Sequence, residues 1–304
     1  MSATAVTTTS TTTVTTGRRR RTGDRVGTIL LYAVLLIFLV PSLWIVLTSL
    51  RPNVEVNARP PVWIPSALTL ESYLILLGKP TPEGAFGMGG SIPFGSYARN
   101  SIVVALVSTL IAMVVGTMAG YAFARFRFRW KNGVFLGLML ARAVPGIALS
   151  LPLFLVFIRL HLIDQVLGLI VVYAALNIPF TAWLMDSFFR TIPEELSEAA
   201  MIDGSSRLGA FLRVELPLTL PGVAASAIFA FLTAWNEYAL ASVVTRTPQS
   251  RTFPPGLFEL TGQFVSDWRG MCAMATMMLL PAVIFVALVQ RQLMAGLTSG
   301  AVKG

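Results

Sequence analysis

Six apolar runs, at about 28–50, 101–124, 133–158, 166–189, 218–243 and 270–290, constrain this chain more than any other feature. Each is long enough to cross a hydrocarbon core of about 30 Å as a helix. Strands of a membrane barrel alternate polar and apolar residues over about 10 positions, whereas these runs are continuous. Lipid offers the backbone no hydrogen bonds, so a helix, which pairs its own N–H groups, is what such a run forms. Charged residues make up 12% of the 304-residue chain, against about 25% in an ordinary soluble domain. The expected fold is an all-α membrane protein with six transmembrane helices.

Charge sets the expected orientation. Residues 1–17 are rich in Thr and Ser, and Arg18–Arg21 follow directly. Residues 1–24 are expected to be a disordered, cytoplasmic N-terminus, since almost nothing there can be buried. The run at 28–50 exceeds the apolar core of a signal peptide, about 7–15 residues, and reads as an uncleaved first span. With the N-terminus inside, the cytoplasmic face receives Arg18–Arg21, Arg25, Arg125, Arg127, Arg129, Lys131, Arg190, Arg207, Arg213, Arg291 and Lys303. The outer face receives the smaller set Arg51, Arg59, Lys79, Arg99, Arg159, Arg246, Arg251 and Arg269. The bias places both termini in the cytoplasm. The net charge of +9 then reflects anionic membrane lipid, and no nucleic-acid partner is needed.

Several chemistries are excluded or unsupported. Cys272 is the only cysteine, which rules out an internal disulfide, and His161 is the only histidine, which rules out a His-pair metal motif. None of Lys79, Lys131 and Lys303 lies in a GxxxxGK[ST] loop, so the chain is expected to bind no ATP, metal or other cofactor itself and to have no catalytic residues. Two outer loops are long. Residues 51–100 are proline-rich with a glycine-rich stretch at 84–95, which reads as a lid or docking loop without much regular structure. Within 244–269, Phe253–Leu260 either dips back toward the membrane or is an ordinary surface loop.

Between the fourth and fifth runs lies a polar island, 190–217. Pro193 followed by Glu194 and Glu195 is a helix start, because proline suits the first turn and the carboxylates oppose the positive end of the dipole. Asp203-Gly204 is a stop, since glycine accepts the left-handed conformation. Ser205 or Ser206 caps a second helix running to about Glu215, and Pro217 opens the fifth span. Ala199 and Ala200 leave a shallow face; Met201, Leu208, Phe211 and Leu212 are candidate apolar anchors; Glu198, Asp203 and Arg207 are candidate charged contacts. Two readings stand: a dock for a soluble partner, or an amphipathic helix resting on the membrane surface.

Polar groups at membrane depth form a second set of candidates: Arg142, Asn177, Trp235, Asn236 and Glu237. Such groups face a cavity or a partner. They read either as a path lined for a polar cargo or as contacts between helices and subunits. Arg142, roughly 15 Å into its span at 1.5 Å per residue, either pairs with a carboxylate of a neighbouring subunit or attracts an anionic substrate.

Glu198-Ala199-Ala200, Asp203-Gly204, Val214 and Leu216-Pro217 match the EAA…G…(I/V)xLP pattern of ABC-importer permeases. VELPLTLPG at 214–222, AWNEYALA at 234–241 and QRQLMAGLTSGAVKG at 290–304 further resemble the maltose-type, MalG-like branch of binding-protein-dependent carbohydrate importers. The resemblance covers about residues 25–304. It implies a type I ABC importer permease with cytoplasmic coupling helices, in the bacterial cytoplasmic (inner) membrane. Its permease domain would be 25–290, with a core at about 98–290, a coupling loop at 190–217 and a cytoplasmic tail at 291–304. The implied partners are a homologous second permease, two ATPase subunits that carry ATP and Mg, and an extracytoplasmic solute-binding protein. The implied function is to form half of the translocation path for a sugar and to couple to the ATPase through Glu198, Ala199, Ala200, Asp203, Gly204, Leu216 and Pro217. Gly296, Gly300, Lys303 and Gly304 would belong to a tail that either frays or reaches the ATPase interface. Arg142 departs from the neutral residues usual in that family. Alternatives left open are a permease for an anionic sugar, a sugar phosphate or a peptide, and an ion-coupled secondary carrier.

Overall fold

The computed structural model describes residues 20–80, 92–261 and 266–300, with side chains from 27 to 293 within those ranges. The Thr-rich start, most of the glycine-rich outer stretch, Lys303 and Gly304 lie outside the described residues. Residues 1–45 form one unit and 46–304 a second. Helix α1 (Arg20–Leu50) begins in the first and ends in the second. From Ile29 to Val40 its side chains are exposed all round, Phe38 by 76%. Apolar on every side, this stretch has the pattern of a membrane span.

The second unit is built on the pairing of α4 (Phe94–Arg125) with α7 (Val166–Arg190). Ser108, Ala112, Gly116 and Gly120 recur every fourth residue of α4 and are all buried. A Cβ on Gly120 would lie 2.7 Å from that of Met185, and one on Gly116 would lie 2.5 Å from that of Thr181. The small residues let the two backbones approach closely, which is how helices pack where lipid removes the hydrophobic drive. Helix α11 (Leu220–Trp235) lies against α4, α7 and α14 (Trp268–Gly300).

Two expected spans are broken. The run at 133–158 divides into α5 (Lys131–Ala143) and α6 (Gly146–Arg159), bent by 98°. Pro145 has no N–H to continue the ladder, and it forces Val144 into the extended conformation seen there, φ −71° and ψ 123°. The run at 218–243 is interrupted at both ends. The chain bends by 76° between Leu218 and Leu220, and α11 stops at Trp235 before α12 (Ala239–Val244). Among the described residues, four unbroken helices are long and apolar enough to cross a membrane, Gly27–Leu50, Phe94–Arg125, Val166–Arg190 and Trp268–Leu293, and the number reaches six if each bent pair counts as one span. Helix α14 also runs through Gly296 to Gly300, because 290–295 contains only good helix formers.

The two long loops, 51–100 and 244–269, are more ordered than the sequence suggests. Short helices α2 (Asn53–Val56) and α3 (Glu71–Leu76) form in the first. Arg269 Nη1 pairs with Glu71 Oε2 at 2.8 Å, tying that loop to the start of α14. In the second loop, α13 (Phe253–Leu257) packs into the protein itself. Phe253 is buried against Phe94 and Trp235, at ring separations of 5.2 and 5.8 Å. Asn100 Nδ2 donates to the carbonyls of Pro248 and Arg251, and Ser101 Oγ accepts from the N–H of Phe253 at 2.7 Å. Asp164, between α6 and α7, clasps the same loop. Its carboxylate accepts from the N–H groups of Arg246 and Thr247 at 2.8 and 2.9 Å and from the hydroxyls of Thr247 and Ser250. Burial pushes that carboxyl up, but the four donors outweigh it and hold the group well below the usual carboxylate range.

Candidate coupling site

The island at 190–217 folds as two short helices. Helix α8 (Glu195–Ile202) carries Glu195 and Glu198 in its first turn, where carboxylates meet the positive end of the dipole. It closes with Gly204 at φ +91°. The N–H of Ser205 reaches the carbonyl of Ala200 at 3.0 Å, and that of Gly204 reaches Met201 at 3.1 Å. This pair of bonds is the Schellman closure, which needs a left-handed residue at that point. Ser206 Oγ then accepts from the N–H of Gly209 at 3.1 Å and caps α9 (Arg207–Ala210). A wider turn, Phe211–Glu215, and α10 (Leu216–Leu218) lead into the membrane.

What fixes this pair to the core is a buried ion pair. Arg125, the last residue of α4, donates from Nε to Glu215 Oε2 at 2.8 Å. The exposures are 10% for the Arg125 side chain and 1% for that of Glu215. Glu215 Oε1 accepts from Ser197 Oγ of α8 at 2.5 Å, and Arg125 Nη2 donates to the carbonyl of Ile192 at 2.9 Å. Arg125 thus holds the entry to α8, the helix itself and the exit of the loop at once. A cavity of ≈ 90 Å³ lies beside the network, lined in part by Tyr121, Met201 and Arg207.

The two faces of the island differ. Phe211, expected as an anchor for a partner, is turned inward instead, with its ring 4.6 Å from Tyr121 and 6.0 Å from Phe189. Leu216 packs against the same cluster. Outward stand Ile202, 85% exposed, and Leu208, 62% exposed, with Leu196 and Leu212 also exposed. Glu198, Ala199, Asp203, Gly204 and Pro217 are exposed as well, while Ala200 is half-buried. Sequence reasoning missed Ile202 as an exposed anchor, and missed Arg125, Ser197 and Glu215 as the clamp. The available signal was an acidic residue just before Leu216-Pro217 and a basic one closing the second span.

The five polar residues at membrane depth are not brought together. Asn177 Nδ2 donates to the carbonyl of Tyr173 at 2.9 Å, inside the α7–α11 contact. Trp235 is buried and stacks on Phe231 at 5.5 Å. Glu237 accepts from the Tyr173 hydroxyl at 2.6 Å and from the N–H groups of Leu240 and Ala241, so it caps α12. Asn236 is exposed, its amide turned back to the carbonyl of Leu232. Arg142 rests over the rings of Phe180 and Phe229, at 4.5 and 4.7 Å. Its Nη1 is buried and, among the described residues, has no hydrogen-bond partner. Two such ring contacts return about 0.5–2 kcal/mol each, against at least about 2.5–3.5 kcal/mol for an arginine at the bilayer centre.

Residues 112–298 match the family model described as binding-protein-dependent transport system inner membrane component. The chain is 37% identical over 268 residues to the trehalose transport system permease protein SugB of Mycobacterium tuberculosis (strain CDC 1551 / Oshkosh), covering 88% of this chain and 93% of that one. It is 34% identical over 266 residues to the sulfoquinovosyl glycerol transport system permease protein SmoH of Agrobacterium fabrum, covering 88% and 89%. It is 31% identical over 264 residues to the diacetylchitobiose uptake system permease protein DasC of Streptomyces coelicolor, covering 87% and 91%. Its fold resembles that of a chain in the crystal structure of a bacterial ABC transporter involved in the import of the acidic polysaccharide alginate, with a TM-score of 0.72 and 21% identity over 90% of this chain and 98% of that one. A lower similarity, TM-score 0.55 at 17% identity over 66% and 94%, links it to the MetNI methionine ABC transporter. The chain belongs to the family of binding-protein-dependent transport system inner membrane components, the non-catalytic membrane subunits of ABC importers.

Proposed function

We propose that this chain is the permease subunit of an ATP-driven sugar importer and forms half of the translocation path. The observation that carries the cargo class is the kinship over 87–88% of the chain with permeases named for trehalose, sulfoquinovosyl glycerol and diacetylchitobiose. A homologous second permease completes the path, two ATPase subunits with ATP and Mg sit beneath it, and a solute-binding protein delivers cargo from outside. Both termini lie in the cytoplasm, and the island at 190–217 docks on the ATPase. The exposed rim of Ile202 and Leu208 enters a groove there, with Glu198, Asp203 and Arg207 as its charged border. Closing of the ATPase dimer on ATP displaces the island and turns the translocation path outward, a rigid-body form of alternating access. The permease domain is 25–290, with its core at about 98–290. The tail at 291–304, including Gly296, Gly300, Lys303 and Gly304, reaches toward the ATPase.

The experiment is reconstitution of this chain with its second permease, ATPase and binding protein in liposomes. Disaccharides, neutral and acidic, and dipeptides are then offered in turn. Sugars are expected to raise ATP hydrolysis several-fold and dipeptides to leave it at the basal rate; the reverse result rejects the cargo class.

A further inference from the structure

We propose that Arg142 is the recognition point for a negatively charged group on the cargo, so that the sugar carried is acidic, bearing a carboxylate or a sulfonate. The proposal deepens the sugar-import reading and rests on it.

Two aromatic rings cover the guanidinium. The rings of Phe180 and Phe229 stand 4.0 Å apart, and the Arg142 Cζ completes a triangle with them at 4.5 and 4.7 Å. Arginine stacked on aromatic faces keeps its N–H donors in the guanidinium plane, aimed away from the rings, where a carboxylate or sulfonate docks in a bidentate fork. Among the described residues, Arg142 has no ion pair, and its buried Nη1 has no hydrogen-bond partner.

Among the described residues, the carboxylates nearest that depth are already engaged. Asp186 is paired with Arg190, Glu215 with Arg125, and Glu237 is held by Tyr173 and the first turn of α12. The described residues therefore leave the counter-charge of Arg142 to come from elsewhere.

The surroundings favour cargo over a protein partner. Phe229, Thr233 and Asn236 recur at helical spacing along α11 and are all exposed. Phe229 and Thr233 also line an open groove of ≈ 500 Å³ with Ala225, Ile228, Leu232 and Leu293. That volume lies within the range of small-ligand sites, about 300–1,000 Å³. Trp183, exposed, adds another aromatic face 5.7 Å from Phe180. Phe229 links this groove to the stacked guanidinium of Arg142, and Thr233 adds a hydroxyl to its wall.

The test uses the reconstituted complex and two probes: a disaccharide of two glucose units, and the same disaccharide with glucuronate replacing one unit. ATPase stimulation is measured for wild type, Arg142→Gln and Arg142→Lys. The expected result is that the glucuronate probe stimulates the wild type, and that R142Q raises its half-saturating concentration at least tenfold relative to the neutral probe. R142K is expected to fall between. The proposal is overturned if R142Q affects both probes equally or neither. It is also overturned if R142Q no longer co-purifies with the second permease, which would assign Arg142 to a carboxylate of that subunit. If only the neutral probe stimulates the wild type, the charge assignment fails and the sugar reading stands. If neither sugar does and another solute class does, the sugar reading itself fails.

Discussion

At the scale of single residues, the turns of the 190–217 island were legible and its clamp was not. Pro193, Glu195, Gly204 and Ser206 announce themselves by type, because capping and left-handed turns demand specific side chains within a few positions. The Arg125–Glu215 bond joins residues 90 positions apart, and no local rule reports such a pairing. Breaking it tests its weight. Glu215→Leu is expected to destabilise the protein by about 3–5 kcal/mol, since it strands a buried guanidinium. Pairing it with Arg125→Met is expected to restore most of that loss, because two apolar groups need no counter-charge. Thermal unfolding of the purified complex, read for both single variants and the double, gives the coupling energy. Gly204→Ala meets no atom within 4 Å, so its cost is conformational alone, about 1–2 kcal/mol. Glu198→Lys is expected to leave the subunit in the membrane but to abolish substrate-stimulated ATP hydrolysis; retained stimulation would remove the island from the coupling role.

At the scale of elements, the apolar runs located the membrane helices but hid the breaks within them. Hydropathy is blind to a bend: Val144-Pro145 is as apolar as its neighbours, and only the missing N–H marks it. The α4–α7 seam was equally invisible, because a small residue every fourth position carries meaning only once the facing helix is known. Gly120→Leu should overpack that seam by at least about 1–3 kcal/mol, whereas Gly137→Ala, with nothing within 4 Å of its Cβ, should be silent. Expression level and melting temperature distinguish them. The Asp164 clasp gives a pH dependence of definite sign. Its folded-state pKa is lowered, so its contribution to stability is complete above the unfolded value, about 4, and is lost as pH falls below that toward the lowered one. Wild type is expected to lose melting temperature through that acid window, and Asp164→Asn to start lower and change less; parallel curves for the two would dissociate the clasp from the pH effect.

At the scale of the whole molecule, the balance of basic residues predicts a sidedness that exposed positions make accessible. In a Cys272→Ser background, single cysteines at Ile202, 85% exposed, and Val54, 84% exposed, report on the two faces. A membrane-impermeant maleimide added to intact cells is expected to label the cysteine at 54 and to reach that at 202 only after lysis. The opposite pattern inverts the topology. The apolar runs that fold as long helices were readable because the bilayer imposes a single length and a single solvent on every span. The packing of 253–260 into the core was not readable, because a partly apolar loop has no periodicity of its own. Helix α4 is hydrogen-bonded to other segments near both ends, through Asn100 and Ser101 to the 248–253 loop and through Arg125 to the island. Its 32 residues reach about 48 Å at 1.5 Å per residue. It is therefore a connecting rod pinned at each extremity, and its stiffness sets how faithfully a displacement at one mouth of the protein is heard at the other.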